Sequence, residues 1–226
     1  MLNSTLEFDY ERSLKHDVSM TADRFIRVNR YLNRPLASLL VKAVYNTNIT
    51  PNQLTVLSFF LGVAGAAFFA LGEYQYFVWG AILVQLSSIV DCADGKLARA
   101  RNACSEFGAY LDIFLDRVNE FCIIVGFSVG LYLYRGSLTL LVLSGLTLGL
   151  YFLQVTLYYI IRGLVHSKRT GQMDEPRALL MLLVAIFGVA NRLGAGVLTL
   201  LIVSLGITIA LVVLLVKQRK RLDSSG

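Results

Sequence analysis

The sequence predicts an all-α membrane protein: six transmembrane helices preceded by an N-terminal amphipathic surface helix. Three observations carry that expectation. Of 226 residues, 56% are apolar and 16% charged, where an average soluble domain has roughly half and a quarter. Apolar runs recur down the whole chain, six in all. Only three prolines are present, which suits long helices better than a turn-rich β protein. The same composition excludes a disordered chain or a nucleic-acid-binding tail. Three cysteines exclude a disulfide framework. The net charge of +6 reads as basic cytoplasmic loops in a chain this apolar.

Residues 1–23 form a polar N-terminal segment with five acidic residues, Glu7, Asp9, Glu11, Asp17 and Asp23, and no apolar stretch that would read as a signal peptide. Residues 24–45 differ. Phe25, Val28, Leu32, Leu36, Leu39, Leu40 and Ala43 recur at helical spacing, with Arg24, Arg27, Arg30 and Arg34 between them. That pattern predicts a basic amphipathic helix on the membrane surface. The alternative is a solvated helix packed on a neighbouring domain.

A six-helix membrane catalytic domain follows over 50–217, with spans at 54–71, 74–90, 108–133, 138–161, 178–190 and 195–216. A bilayer core needs about 20 helical residues. The fourth and sixth runs meet this alone. The second, third and fifth are short and must recruit polar residues or tilt, so polar groups are expected at membrane depth. Residues 218–226 make a basic and polar tail. Seven of the 21 basic residues precede the first span, and others follow the second, fourth and sixth. Only Arg135 and Arg192 fall on the opposite side. The positive-inside bias therefore predicts cytoplasmic termini, and six spans agree in parity. Gly126 and Gly130, and Gly145 and Gly149, stand four apart in apolar spans, a spacing for close helix approach.

The acidic residues are unevenly placed. Six of 15, Asp91, Asp94, Glu106, Asp112, Asp116 and Glu120, fall within 30 residues. Carboxylates at the ends of apolar spans are costly to bury and point to function. At about 100° per residue, Asp91, Asp94, Gly95, Ala98 and Arg99 share a face roughly 140° wide. Gly108, Asp112 and Asp116 share another at steps of four. If the two helices are antiparallel neighbours, four aspartates meet. Their mutual repulsion calls for divalent metal. An all-oxygen ligand set favours magnesium, manganese or calcium over zinc, and four carboxylates suggest two ions. Gly95 and Ala98 leave room against the helix backbone, and Arg99 can pair with phosphate. Together they read as a nucleotide-diphosphate site. Close helix packing for the small residues, and membrane anchoring for Arg99, are the plainer readings of each alone. Glu106 and Glu120 read as supporting groups or as helix-surface charges, the latter above all for Glu106.

The stretch beginning at Val90, VDCADGKLARARNACSEFGAYLDIFLD, resembles the signature of the CDP-alcohol phosphotransferases, D-x-x-D-G-x-x-A-R followed by G-x-x-x-D-x-x-x-D. Asp91, Asp94, Gly95, Ala98, Arg99, Gly108, Asp112 and Asp116 match every fixed position. Thr50 to Thr55, TPNQLT, is similar to the P-N-x-x-T segment that opens the family's first span. The resemblance implies that Asp91, Asp94, Asp112 and Asp116 hold two divalent ions, Mg2+ or Mn2+. It implies a CDP site lined by Asn52, Asp94, Gly95, Ala98, Arg99 and Gly108, with Asp116 as general base. It implies transfer of a phospho-alcohol to an acceptor hydroxyl with release of CMP, in a membrane enzyme of phospholipid biosynthesis that forms a homodimer. The expected donor is CDP-diacylglycerol and the acceptor a polar alcohol, free or phosphorylated. The alternative donor is soluble CDP-inositol, giving di-myo-inositol phosphate. Arg162 and Arg177 are the candidate acceptor-binding residues, with membrane anchoring as their other reading. From other classes, a divalent-cation transporter or a non-catalytic adaptor would also place acids here. A transporter has no use for Gly95, Ala98 and Arg99 beside them, and its acids belong at the midplane.

Overall fold

The computed structural model describes residues 32–164, 182–184, 186–187, 189–190 and 192–223. They are helical, with no strand among them. The main elements are α1 (Arg34–Val44), α2 (Pro51–Ala70), α3 (Tyr74–Ala100), α4 (Glu106–Arg135), α5 (Leu138–Leu164) and α6 (Leu193–Asp223). Four stretches are long and apolar enough to cross a membrane: Pro51–Ala70, Tyr74–Ala100, Leu138–Ile160 and Gly194–Val213. The expected third span is the continuous helix α4, whose first half carries the acids and so falls short on hydropathy. Residues 178–181, 185 and 188 of the expected fifth span, and residues 24–31 of the expected surface helix, lie outside the described residues.

Local chemistry sets the helix boundaries near the acids. At α2, Thr50 Oγ1 accepts from the Gln53 amide (3.3 Å) and Gln53 Oε1 from the Thr50 amide (2.9 Å), with Pro51 in the first turn. This reciprocal pair satisfies two backbone donors that a helix start would leave bare. Ser105 caps α4, its hydroxyl accepting from the Gly108 amide at 3.0 Å. Between α3 and α4 the chain turns through Asn102 at φ 53°, a left-handed conformation that asparagine tolerates. Gly136 at φ 63° ends α4 and accounts for the immediate return into α5.

Helices α3 and α4 each pack closely on α2 and make little backbone contact with each other. Gly126 and Gly130 of α4 lie against the Ala66 and Phe69 carbonyls of α2, with no room for a methyl group at either position. Gly65 and Gly80 make a similar approach between α2 and α3. Phe69, Phe77 and Phe127, one from each helix, stack with ring centroids 5.5–5.9 Å apart and form the apolar centre. Among the described residues, nothing lies within 4 Å of where side chains would begin at Gly145 and Gly149.

Helix α1 docks by one face only. Ala37 and Val44 pack with Leu54, Val90, Ala93 and Leu97, while Leu36 and Leu39 are exposed. Polar ties fix it to α3. Lys96 donates to the Arg34 carbonyl and the Ser38 hydroxyl. Buried Asn33 bonds Ser88 (2.8 Å) and Gln85 (2.7 Å). Arg101 donates to the carbonyls of Val44, Tyr45, Thr47 and Ile49, so one guanidinium orders the whole α1–α2 connection.

Candidate active site

The residues of the expected signature rest on three helix ends. From α3 and α4, Asp91, Asp112 and Asp116 converge, with one carboxylate oxygen of each within 4.8 Å of the others. All three are partly exposed, as a site that admits a ligand requires. α3 and α4 pack chiefly on α2 rather than on each other, and α2 thereby brings their acidic faces together: Asp112 and Asp116 stand one turn apart on α4 and their carboxylates meet that of Asp91 on α3.

Asp94 is not part of that three-residue group. It is 6% exposed, and its Oδ2 accepts from Thr55 Oγ1 of α2 at 2.6 Å. It remains within electrostatic range of Asp112 and Asp116. Thr55 is itself buried. The short distance and the burial of both groups make this one of the stronger hydrogen bonds of the fold. Below it a polar ladder stitches α2, α3 and α4. Ser58 donates to the Thr55 carbonyl (2.8 Å), Ser87 to the Ser58 carbonyl (2.7 Å), and Asn119 to Ser87 Oγ (3.2 Å). Gly62 leaves the space that the Asn119 amide fills.

The expected nucleotide-site residues gather beside the acids. A methyl group at Gly95 would meet the Arg99 guanidinium at 3.3 Å, so Arg99 folds back along its own helix toward the glycine. At Gly108 it would meet Asn52 Oδ1 and Ser105 Oγ, each at 3.0 Å. Asn52, in the first turn of α2, therefore touches the first turn of α4. Ala98 lies on α3 between Gly95 and the turn, partly exposed. Of the acceptor candidates, Arg177 lies outside the described residues. For Arg162 only the backbone, close to the end of α5, is described.

Glu120 is not a helix-surface charge. It is 3% exposed, and its Oε2 pairs with Arg117 Nη1 at 2.8 Å. Arg117 also donates to the hydroxyl of buried Tyr151 on α5 at 3.1 Å. Thr55, Arg117 and Tyr151 are the neighbours that sequence reasoning did not assign to the site. Thr55 had a signal, as the last residue of the TPNQLT segment. Tyr151 had none, because its contact spans 34 residues.

The donor set fits hard divalent cations. Three carboxylates bring oxygens together at a partly open position, a fourth stands behind them, and no sulfur or imidazole joins them among the described residues.

Comparison with known proteins agrees with this geometry. Residues 48–216 match the CDP-alcohol phosphatidyltransferase family. A phosphatidylinositol phosphate synthase of Mycobacteroides abscessus is 30% identical over 161 residues, covering 69% of each chain. A bifunctional IPC transferase and DIPP synthase of Rubrobacter xylanophilus is 40% identical over 103 residues, 46% of this chain. The chain spans only 20–26% of the length of the bifunctional relatives it matches. Among solved structures, phosphatidylinositol phosphate synthase of Mycobacterium tuberculosis with CDP-DAG bound aligns with TM-score 0.64 at 20% identity. That alignment covers 80% of this chain and 92% of the other. The same enzyme in complex with manganese and citrate aligns with TM-score 0.62. The chain belongs to the CDP-alcohol phosphatidyltransferase family.

Proposed function

We propose that this protein transfers a phospho-alcohol from CDP-diacylglycerol to the hydroxyl of a polar alcohol, free or phosphorylated, with release of CMP. The observation that carries the reading is the meeting of Asp91, Asp112 and Asp116 within 4.8 Å, beside Asp94, in a chain of this family. Asp91, Asp94, Asp112 and Asp116 would hold two divalent ions, Mg2+ or Mn2+. When bound, such ions neutralise the diphosphate and the developing charge on the leaving CMP.

The protein's own groups do the rest. Asn52, Gly95, Ala98, Arg99 and Gly108 line the CDP position, with Arg99 supplying charge to phosphate. Asp116 takes the proton of the acceptor hydroxyl on a carboxylate oxygen, directly or through one water. The hydroxyl oxygen attacks the phosphorus that carries the donor alcohol, and the bond to CMP breaks. Arg162 and Arg177 bind the acceptor where it is phosphorylated.

The reading includes six spans, counting α4 and the segment around 178–190, and a surface helix whose exposed Leu36 and Leu39 lie on the bilayer. Basic residues on one side support cytoplasmic termini and a cytoplasmic site. It also includes a homodimer, for which the exposed Gly145 and Gly149 offer a face for close helix approach. Soluble CDP-inositol is the second donor to test, because relatives named for IPC and DIPP synthesis are 38–43% identical over about half the chain.

The test is CMP release by purified protein with Mg2+ or Mn2+. The donors are CDP-diacylglycerol and CDP-inositol, each with glycerol phosphate and inositol phosphate. Release with the lipid donor, lost in Asp116→Asn, supports the reading. Release with CDP-inositol alone replaces its donor. No release and no CDP binding would refute it.

A further inference from the structure

Glu120 continues the Gly108–Asp112–Asp116 stripe one turn further into the bundle, about 6 Å along the axis from Asp116. A fifth carboxylate on that stripe would add its charge to the cluster if nothing met it. Arg117 meets it at 2.8 Å. Arg117 is also the residue next to Asp116, and a guanidinium there can compete with a divalent cation for the carboxylate. Two partners hold it: Glu120 on its own helix, and the Tyr151 hydroxyl on α5 at 3.1 Å. Glu120 and Tyr151 are 3% and 1% exposed, so the anchor is built into the packed interior.

We propose that Arg117 and Glu120 are paired positioning residues that set the charge seen by cations at the aspartate cluster. Glu120 draws the Arg117 guanidinium away from Asp116, and Arg117 cancels the Glu120 charge. This builds on the metal reading above, but it concerns how strongly the cluster holds a cation rather than which alcohols are joined. A pair that only stabilised the fold would make every variant lose cation binding and stability together.

The two single substitutions should move metal affinity in opposite directions. In Glu120→Gln the arginine keeps its charge beside Asp116 and loses its carboxylate partner, so Mn2+ binding weakens by about tenfold. In Arg117→Met the Glu120 charge adds to the cluster, so Mn2+ binding tightens severalfold. The double variant returns close to the wild-type affinity. Mn2+ binding to the full-length protein in detergent is read by electron paramagnetic resonance of the free ion, without substrate. In the CMP-release assay, Glu120→Gln should need about tenfold more metal for half-maximal rate and recover kcat at saturating metal. If Arg117→Met does not fold, reversal of the Glu120→Gln defect in the double variant still decides. Singles that shift affinity in the same direction, singles within twofold of wild type, or a double variant no better than Glu120→Gln would each overturn the proposal. Mn2+ binding with this pattern in a protein that releases no CMP would uphold it while refuting the proposed reaction.

Discussion

Thr55→Val isolates the hydrogen bond behind the cluster. Valine has the shape of threonine without its hydroxyl, so helix packing is preserved while the 2.6 Å bond to Asp94 is lost. The Thr55 hydroxyl also lies 3.2 Å from the Pro51 carbonyl, but it has one proton, and the shorter contact to a carboxylate takes it. Leaving a buried acceptor without its donor costs about 1–3 kcal/mol. Asp94 is buried and no water can replace the hydroxyl without rearrangement, so the upper part of that range applies. Some of the loss falls on folding stability. The rest appears when the donor binds, since Asp94 must be re-aimed each time. At 1.36 kcal/mol per decade, kcat/KM for the CDP donor should fall about tenfold or more. The measurements are CMP release across donor concentration and CDP binding by calorimetry, with Thr55→Ser as the control that keeps the hydroxyl. Thr55→Val within twofold of wild type, or Thr55→Ser as impaired as Thr55→Val, would refute the reasoning.

Other outcomes follow from the same geometry. Asp116→Asn should lower CMP release by about 10²–10⁴-fold, the usual contribution of a general base, with the folded state intact by thermal unfolding. Chelation by EDTA should abolish CMP release, and Mg2+ or Mn2+ should restore it. Gly130→Ala places a methyl group against the Phe69 carbonyl and should cost about 1–3 kcal/mol, read as a lower unfolding temperature. Arg101→Gln releases the carbonyls of Val44, Tyr45, Thr47 and Ile49, and should raise the KM for the CDP donor more than it lowers kcat, because Asn52 follows that loop.

The parts of the site that follow from helical periodicity were legible in the sequence. Steps of four place Asp112 and Asp116 on one face, whereas Asp91 reaches them because α3 and α4 both pack on α2, which the spacing does not show. Pairing between distant helices was not legible. Helical phase brings Asp94 near the cluster, but only the packing of α2 turns its carboxylate toward Thr55. Glu120 has the same phase as the ligands and the same chemistry as a surface glutamate, so its burial depends on α5 covering it and on Arg117 reaching it. The spans divided along similar lines. Leu138–Ile160 and Gly194–Val213 announce themselves by hydropathy, whereas α4 carries its function on its sequence and loses the hydropathy signal for that reason. The spacing of Gly126 and Gly130 suggested a close approach, but not that the partner would be α2.

The contact between Gly126 and Gly130 and the backbone of α2 has a mechanical consequence. Where carbonyls rest directly on a neighbouring helix, there is no intervening side chain whose rotamer could change to let the helices slide. α2, α3 and α4 thus form a stiff frame that fixes the separations of the acids mounted on it. The facing surface is different. Between α4 and the helices α5 and α6 lies a small cavity lined by Ser128, Ser144, Thr147, Tyr151, Val197 and Leu200. For the lipid product of the proposed reaction, the room for a sideways exit lies on the α5–α6 side. The close backbone approach and the cavity in this way sit in different parts of the bundle.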